Sequence, residues 1–168
     1  QRGIRAIARR VRTLAQVYDH LHRDNLTRTT DFGSYLNSLC LTIEQLNGVT
    51  SGAVTLTCES TTTILDLDMV TALGIVAAEL VTNCYDHAFP NGNGSIAVSL
   101  GRASEDDGIA TLTIRDNGTG FTPVAKSKRQ GVGLVLRLIE QVRGTAVVDS
   151  GQGTAWIIRF PITYPASA

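Results

Sequence analysis

The 168-residue chain contains few cysteines, no long apolar run and no net charge, and each of these shortages excludes a class of protein. Its cysteines are odd in number, widely spaced and set in apolar segments: Cys40, Cys58 and Cys84. They predict reduced core residues of a cytosolic protein rather than a disulfide framework or a zinc site. Zero net charge gives no overall field that would attract nucleic acid or a membrane surface. Because no apolar run reaches the roughly 18 residues that cross a bilayer, we also expect no membrane contact.

Charge is nevertheless distributed unevenly along the chain. Residues 1–28 carry seven arginines and two aspartates, a net +5, so the remaining residues sum to −5. Residues 1–24 place apolar side chains at near-heptad spacing, which predicts a helix with arginines on its other face. One such helix cannot bury its apolar stripe alone, so a helical hairpin or a dimeric bundle is expected. Since the chain begins with Gln1 rather than Met, we expect it to be a fragment of a longer protein.

The rest of the chain combines helices and strands in an order that does not strictly alternate. Asn25–Thr30 indicates a polar linker, and Asp31 is a suitable N-cap for a second helix that Gly48 follows. Strands are predicted near 54–58 and 64–65, and a helix within 68–90 follows them. A hairpin of 96–100 with 110–114 comes next, then a helix over 133–143 that Gly144 stops, and finally a hairpin of 146–149 with 155–160. This order predicts an α+β fold, a two-layer sandwich in which helices cover one face of a mixed sheet.

The helical stretch Asp68–Pro90 is the most informative part of the sequence. Most of it is apolar, but Glu79, Asn83 and either Asp86 or His87 share one side of the helix at spacings of three and four. Buried polar groups need partners, and a carboxylate with an amide oxygen is a donor set that Mg²⁺ accepts together with an oxygen-rich ligand. The alternative is that Glu79 and Asn83 simply face solvent.

A second polar pattern, Arg115–Gly120, stands at the end of a predicted strand. The carboxylate of Asp116 can accept a hydrogen bond from an exocyclic amine, while Gly118 and Gly120 allow a flat base to approach the backbone. Asn-Gly is also the commonest tight-turn dipeptide, so a simple turn is the competing interpretation.

Gly131 and Gly133 precede a predicted helix and form a third pattern. Glycines before a helix N-terminus leave backbone amides available to phosphate, and the helix dipole favours the negative charge. The sequence is not a Walker loop, because no Gly-Lys-Ser/Thr follows, and it does not follow a strand directly as a dinucleotide fingerprint does.

Two weaker signals flank that helix. The loop Phe121–Gln130 carries three basic residues, Lys126, Lys128 and Arg129. It is either a solvated basic loop or a lid that closes over phosphates. Gly153-Thr154 at the start of the last strand is by itself only a turn.

Taken together and in this order, the patterns resemble the Bergerat-type ATPase fold of gyrases, Hsp90 chaperones, histidine kinases and MutL proteins. Within it, ELVTNCYDHAFP is similar to the N box of a sensor histidine kinase, DNGTGF to its G1 box and GVGLVLRLIEQVRG to its G2 box. The closing GTAWIIRFP is similar to the last strand of that domain, and the resemblance covers about residues 31–162.

The N-terminal segment extends the resemblance. RRVRTLAQVYDHLHRDN is similar to the second helix of the dimerisation hairpin in the histidine-kinase subclass related to the HWE kinases. The Trp-x-Glu signature of HWE kinases is absent, because Trp156 is the only tryptophan and lies in the last strand, so the neighbouring subclass is expected. The resemblance implies a hairpin piece at residues 1–26, a catalytic ATP-binding domain at 27–168, and a homodimer formed through the hairpin.

The resemblance also implies roles for matched positions. Asn83 would hold Mg²⁺, with Glu79 beside it orienting water or the metal, and these two are the implied catalytic residues. Asp116 would bind the adenine amine. The other implied nucleotide contacts are Gly118, Gly120 and Thr154 around the base, Gly131, Gly133 and Leu134 at the phosphates, and Lys126, Lys128 and Arg129 closing over them. Relatives often carry a basic residue at the position of Asp86, so that phosphate contact would pass to His87; Ala78 also stands where relatives often have Asn.

The implied activity is transfer of the γ-phosphoryl group of Mg-ATP to a histidine, for relay to the receiver domain of a response regulator. Three histidines are available, His20, His22 and His87. His22 is followed by Arg-Asp-Asn, a superficial likeness to an acceptor box, but it lies at the end of the second hairpin helix. The acceptor is therefore expected upstream of Gln1.

Two other functions remain open at this point. An anti-sigma-type serine kinase shares the ATPase fold, although it does not need a hairpin helix. A phosphotransfer or scaffold protein with a vestigial ATP site is the non-enzymatic alternative. The expected location is cytoplasmic, whether or not the parent protein is membrane-anchored, and no nucleic-acid partner is expected.

Overall fold

A computed structural model describes residues 29–48, 53–102, 108–120 and 130–162 of the chain. Three helices occur within these ranges: α1 (Phe32–Gly48), α2 (Leu67–His87) and α3 (Gln130–Gln141). The strands of the same ranges are β1 (Thr29–Asp31), β2 (Ala53–Ser60), β3 (Ile64–Asp66), β4 (Asn93–Arg102), β5 (Ile109–Asp116), β6 (Thr145–Asp149) and β7 (Thr154–Pro161). The predicted N-terminal helix, the boundary near residue 26 and the basic loop 121–129 lie outside the described residues.

The five longer strands form one mixed sheet in the order β2-β4-β5-β7-β6. Strand β2 runs parallel to β4, whereas β4–β5, β5–β7 and β6–β7 are antiparallel pairs. The two hairpins predicted from alternating apolar residues are confirmed, with Leu100 opposite Leu112 and Val148 opposite Trp156. The predicted two-layer α+β sandwich is therefore confirmed.

Alternation along the central strands places one face of the sheet against the helices. On β4, β5 and β7 the buried apolar side chains at alternating positions are Ile96, Val98, Leu100, Ala110, Leu112, Ile114, Trp156, Ile158 and Phe160. Helix α2 lies within this core. By length and composition alone α2 could span a membrane, contrary to expectation, but 67% of its apolar window is buried inside the protein. It is the central core helix of the fold.

The predicted linker Asn25–Thr30 is wrong at its last two residues. Thr29 and Thr30 belong to β1, which pairs antiparallel with β3 as a separate two-stranded sheet. The threonine-rich, three-residue strand has no apolar alternation of its own, so its pairing depends on β3 rather than on a local pattern.

Asp31 joins three of these segments and is the predicted cap of α1. Its Oδ1 accepts hydrogen bonds from the amides of Gly33 (3.0 Å) and Thr63 (2.9 Å), and its Oδ2 accepts one from the Ser34 hydroxyl (2.6 Å). Burial raises the pKa of Asp31, but the hydrogen bonds from Ser34, Thr63 and Gly33 outweigh it and hold the pKa below its usual 3.8. The capping prediction is confirmed.

Helix α3 differs from prediction at both ends. It begins at Gln130 rather than Gly133, so Gly131 and Gly133 lie in its first turn and not before it. At the other end the left-handed residue is Arg143 (φ 56°), not Gly144. The Gly144 amide bonds the Ile139 carbonyl (2.8 Å) and the Arg143 amide bonds that of Glu140 (2.9 Å), a Schellman closure. Gly144 is instead suited to close packing, since a Cβ there would lie 3.0 Å from the Arg159 carbonyl oxygen.

Asp31→Ala is expected to lower the free energy of unfolding by about 1 kcal/mol near neutral pH, because it removes a helix cap. The folded-state pKa of Asp31 is depressed, so this contribution is present above the unfolded pKa and is lost as pH falls through the folded value. Urea unfolding at pH 7 and pH 3 should show the difference from wild type shrinking at pH 3. The exposed Glu59→Ala is the matched control. A difference of equal size at both pH values would contradict the prediction.

Arg143→Gly is expected to raise the free energy of unfolding by about 1 kcal/mol, because glycine adopts a positive φ without the steric cost that a Cβ brings. Arg137→Gly, at an exposed position inside the same helix, should lower it by about 1 kcal/mol. Thermal unfolding of both variants measures the contrast. Destabilisation by Arg143→Gly would show that its side chain matters more than its backbone conformation.

Candidate nucleotide-binding site

An open pocket lies where the C-terminal half of α2 faces the end of β5, the start of β7 and the first turn of α3. Its lining residues are Leu80, Asn83, Cys84, His87, Ala88, Asp116, Gly120, Val132, Thr154 and Trp156. The four from α2 are spaced i, i+3, i+4 and i+7, which is one continuous side of a helix. A single face of the core helix therefore forms one wall of the pocket.

Asp116 is the buried acidic residue of this pocket and is only 4% exposed. It ends β5, opposite Thr154 of β7. Its Oδ1 accepts hydrogen bonds from the amides of Gly118 (2.9 Å) and Thr154 (3.2 Å). Its Oδ2 accepts one from the Cys84 thiol (3.5 Å). A carboxylate held in this way can accept a further hydrogen bond from a ligand but has none to donate.

The turn after Asp116 is fastened to two other elements. Asn117 Oδ1 accepts the Ser95 amide (2.7 Å), and the Asn117 amide donates to the Ser95 carbonyl (3.2 Å). The Thr119 amide donates to the Ala88 carbonyl at the end of α2 (3.0 Å). Asn117 thus holds the segment after β5 to β4, whereas Asp116 lines the pocket.

Two glycines make this arrangement sterically possible. A Cβ at Gly118 would overlap the carbonyl oxygen and Cβ of Ala88. Gly153 has φ 74°, and a Cβ there would overlap the Asp116 carbonyl oxygen. Because Gly153 precedes Thr154, it controls the position of one of the two amides that hold the carboxylate.

Five of the thirteen residues predicted for the site lie on the pocket wall. They are Asn83, His87, Asp116, Gly120 and Thr154. Gly118 lies behind the wall against Ala88, and Gly131, Gly133 and Leu134 lie in the opening turns of α3 beside Val132. Lys126, Lys128 and Arg129 lie outside the described residues. Asp86 is exposed and is not part of the lining.

Glu79 is buried, with 7% of its surface exposed, one helical turn before Asn83. The alternative that Glu79 and Asn83 simply face solvent is therefore wrong for Glu79, and Asn83 is half-buried on the pocket wall. Glu79 itself is not among the lining residues.

Sequence reasoning missed the apolar and thiol part of the wall. These residues are Leu80, Cys84, Ala88, Val132 and Trp156. The helical spacing that singled out Asn83 and His87 also contains Leu80 and Cys84, so the signal was present. Apolar residues at helical spacing usually indicate core, and they do not reveal which part of a core borders a cavity.

The donors of the pocket suit a Mg²⁺ ion that is bound jointly with a ligand. Within the described residues no group of three or more His, Cys, Asp or Glu side chains could hold a metal unaided. The Asn83 carboxamide offers a single oxygen on the wall. Mg²⁺ commonly takes one or two protein oxygens and completes its shell with phosphates and water, so this donor set is compatible with it.

The mixed sheet, with a buried carboxylate at a strand end opposite an amide side chain on the core helix, is the arrangement that the resemblance to a Bergerat-type ATPase domain implies. Residues 69–164 match the family of histidine kinase-, DNA gyrase B- and HSP90-like ATPases. The chain belongs to this family, and the sequence resemblance is thereby confirmed at the level of the ATPase domain.

Individual relatives share parts of the chain. It is 34% identical over 121 residues to the nitrate/nitrite sensor protein NarQ of Escherichia coli (strain K12), an alignment that covers 70% of the chain but 20% of that protein. It is 31% identical over 98 residues to the anti-sigma F factor of Geobacillus kaustophilus (strain HTA426), covering 50% of the chain and 62% of the factor. The chain thus spans less than two thirds of either relative.

The fold is also that of a solved histidine kinase domain. The domain of the blue-light activated histidine kinase EL346 of Erythrobacter litoralis aligns with a TM-score of 0.79 and 20% sequence identity. The alignment covers 96% of this chain and 83% of that domain.

Gly153→Ala is expected to lower the free energy of unfolding by about 2 kcal/mol, because a positive φ and an overlap with the Asp116 carbonyl both oppose a Cβ. Gly151→Ala, two residues away, is the matched control, since its Cβ would meet only Asp149 Oδ1 at 3.6 Å. It should change stability by less than about 0.5 kcal/mol. Chemical denaturation measures both, and equal effects would refute the packing argument.

Proposed function

We propose that this chain is the catalytic, ATP-binding part of a sensor histidine kinase. The observation that carries the proposal is the fixed, buried carboxylate of Asp116 across the pocket from Asn83. Membership of the ATPase family and the shared fold with a histidine kinase domain support it. The cofactors are ATP and Mg²⁺.

The base is recognised at the end of β5 in this proposal. Asp116 accepts a hydrogen bond from the exocyclic amine of adenine, since an ionised carboxylate offers only acceptors. Gly120 and Thr154 lie around the base, and Gly118 holds the turn against α2. A purine that presents a carbonyl in place of the amine would face the carboxylate with a second acceptor and would be rejected.

The phosphates extend toward α3 and the side of α2 that carries Asn83. The first amides of a helix have no partner inside it, so the opening turn with Gly131, Gly133 and Leu134 is suited to phosphate oxygens. His87 lies at the same end of the α2 wall. Lys126, Lys128 and Arg129 would supply positive charge that offsets the charge of the triphosphate.

Asn83 is the proposed protein ligand of Mg²⁺, and Glu79 orients water or the metal from the turn below. When bound with ATP, the ion would neutralise negative charge on the phosphates. The chain's own residues hold the nucleotide and exclude water from its base.

The transferred group passes to a histidine. The lone pair of an imidazole nitrogen forms a bond to the γ-phosphorus while the bond from that phosphorus to the bridging oxygen breaks, and ADP leaves. The product is a phosphohistidine whose phosphoryl group then passes to an aspartate of a receiver domain. A homodimer through the N-terminal helices would bring this domain to the acceptor histidine. The cytoplasm, where ATP is available, is the proposed location.

The main competing function is that of an anti-sigma-type serine kinase, which the 31% identity to such a factor favours. Both kinases use the same nucleotide pocket, so binding alone does not separate them. The product separates them, because phosphohistidine is lost in acid and phosphoserine survives it.

Asp116→Asn is expected to weaken ADP binding by about 10–100-fold, the range for a hydrogen bond to a charged group. Asn83→Ala should abolish the gain in affinity that Mg²⁺ gives the wild type. Isothermal titration with and without Mg²⁺ measures both effects. Asp149→Asn is the matched control, because Asp149 Oδ1 accepts the Gly151 amide (3.1 Å) in the same Asp-x-Gly turn while lying exposed outside the pocket.

Absence of ADP binding to the folded wild-type protein would refute the nucleotide site. Incubation of the intact protein with γ-labelled ATP then tests the reaction. Label that is lost in acid and retained in base supports histidine transfer, whereas acid-stable label indicates a serine kinase. Nucleotide binding without label transfer, even to the longer protein that carries the expected upstream histidine or to an added partner protein, would indicate a vestigial site.

A further inference from the structure

Apolar packing alone does not explain why a thiol stands at position 84 in the pocket wall. Cys84 lies on α2 directly after Asn83, is 9% exposed and forms part of the pocket wall. The thiol is a free one. It is the only cysteine among the lining residues, whereas Cys40 and Cys58 lie elsewhere, on α1 and β2.

The thiol completes the set of donors around Asp116. Two backbone amides donate to Oδ1, and Cys84 Sγ lies 3.5 Å from Oδ2 and donates to it. An ionised carboxylate offers only acceptors, so the thiol is the donor of this contact.

This arrangement leaves Oδ2 as the oxygen available to a ligand. Oδ1 already accepts two hydrogen bonds, and a carboxylate oxygen has about two lone-pair positions. Oδ2 receives one weak donor from Cys84 and so keeps a lone pair for a ligand, and Asp116 lines the cavity. The thiol on one side and the two amides on the other fix the plane of the carboxylate, which sets the direction of the remaining lone pair.

We propose that Cys84 is a specificity-determining residue for the base, in which its thiol orients Asp116 Oδ2 toward the exocyclic amine of a 6-aminopurine nucleotide. The inference rests on the proposed nucleotide site. It makes Cys84 responsible for the preference of the site for a purine with a 6-amine over one with a 6-carbonyl. Only the amine can donate a hydrogen bond to the oriented lone pair of Asp116 Oδ2. A residue that merely filled space would affect both kinds of base alike.

The test compares ADP with inosine diphosphate, which carries a carbonyl in place of the amine, by isothermal titration to the wild-type chain and its variants. Cys84→Ala should weaken ADP binding by about three- to tenfold, the range for one hydrogen bond. Binding of inosine diphosphate should remain within about twofold, so the preference falls. Cys84→Ser, which keeps a donor at the same position, should restore most of the preference.

A double-variant comparison shows whether Cys84 acts through Asp116. If it does, Cys84→Ala should have no further effect on ADP binding in an Asp116→Asn background. Cys58→Ala is the matched control, since this half-buried cysteine is not in the pocket wall and should leave both affinities unchanged. Circular dichroism melting confirms that each variant is folded.

The outcomes separate this inference from the proposed function. If the folded wild type binds neither nucleotide, both are overturned. If it binds ADP but Cys84→Ala weakens both nucleotides equally or neither of them, only the inference is overturned. Failure of Cys84→Ser to improve on Cys84→Ala would also overturn it.

Discussion

The buried carboxylate of Asp116 is the constraint on which the rest of the site depends. A charge removed from water is costly unless it is hydrogen-bonded, and here three chain segments supply the donors. Gly118 comes from the turn after β5, Thr154 from β7 and Cys84 from α2. The register of the sheet and the packing of α2 must both be correct before this carboxylate is satisfied. The same condition that stabilises the charge therefore places one of its oxygens at the pocket.

Helix α2 needs apolar residues to pack in the core and polar residues to line the pocket. Its apolar residues meet α1, α3 and the sheet, so most of the helix is buried. Its last turns carry Asn83 and His87 on the pocket wall, with Glu79 buried behind them. Ala88 caps the C-terminal end of the helix, and its carbonyl accepts the Thr119 amide of the turn that follows Asp116. The core helix and this turn are thereby a single packed unit.

Much of this could be predicted from the sequence because the signals are local. Alternation on β4, β5 and β7 gave the hairpins, and Asp31 was identifiable as a cap. The parallel pairing of β2 with β4 and the small sheet of β1 with β3 could not be predicted, because periodicity identifies the buried face of a strand but not its neighbour. The predicted start of α3 is wrong because Gly131 and Gly133 favour a loop in isolation, although the first turn of a helix tolerates them. The sequence predicts Cys84 as a core residue, and only the three-dimensional arrangement shows that it borders Asp116.

The pattern Asp-x-Gly occurs at three strand ends among the described residues, at Asp31 of β1, Asp116 of β5 and Asp149 of β6. Each carboxylate accepts the amide two residues later, so the local chemistry of the three turns is the same. Asp31 caps α1, Asp116 is enclosed beneath α2 and Asp149 is open to water. A search by short motif would return all three with equal weight, and the difference between a pocket residue, a helix cap and an ordinary turn is set by the neighbours that the fold supplies. In a domain of this kind, the burial of a short motif indicates its function better than its amino-acid sequence does.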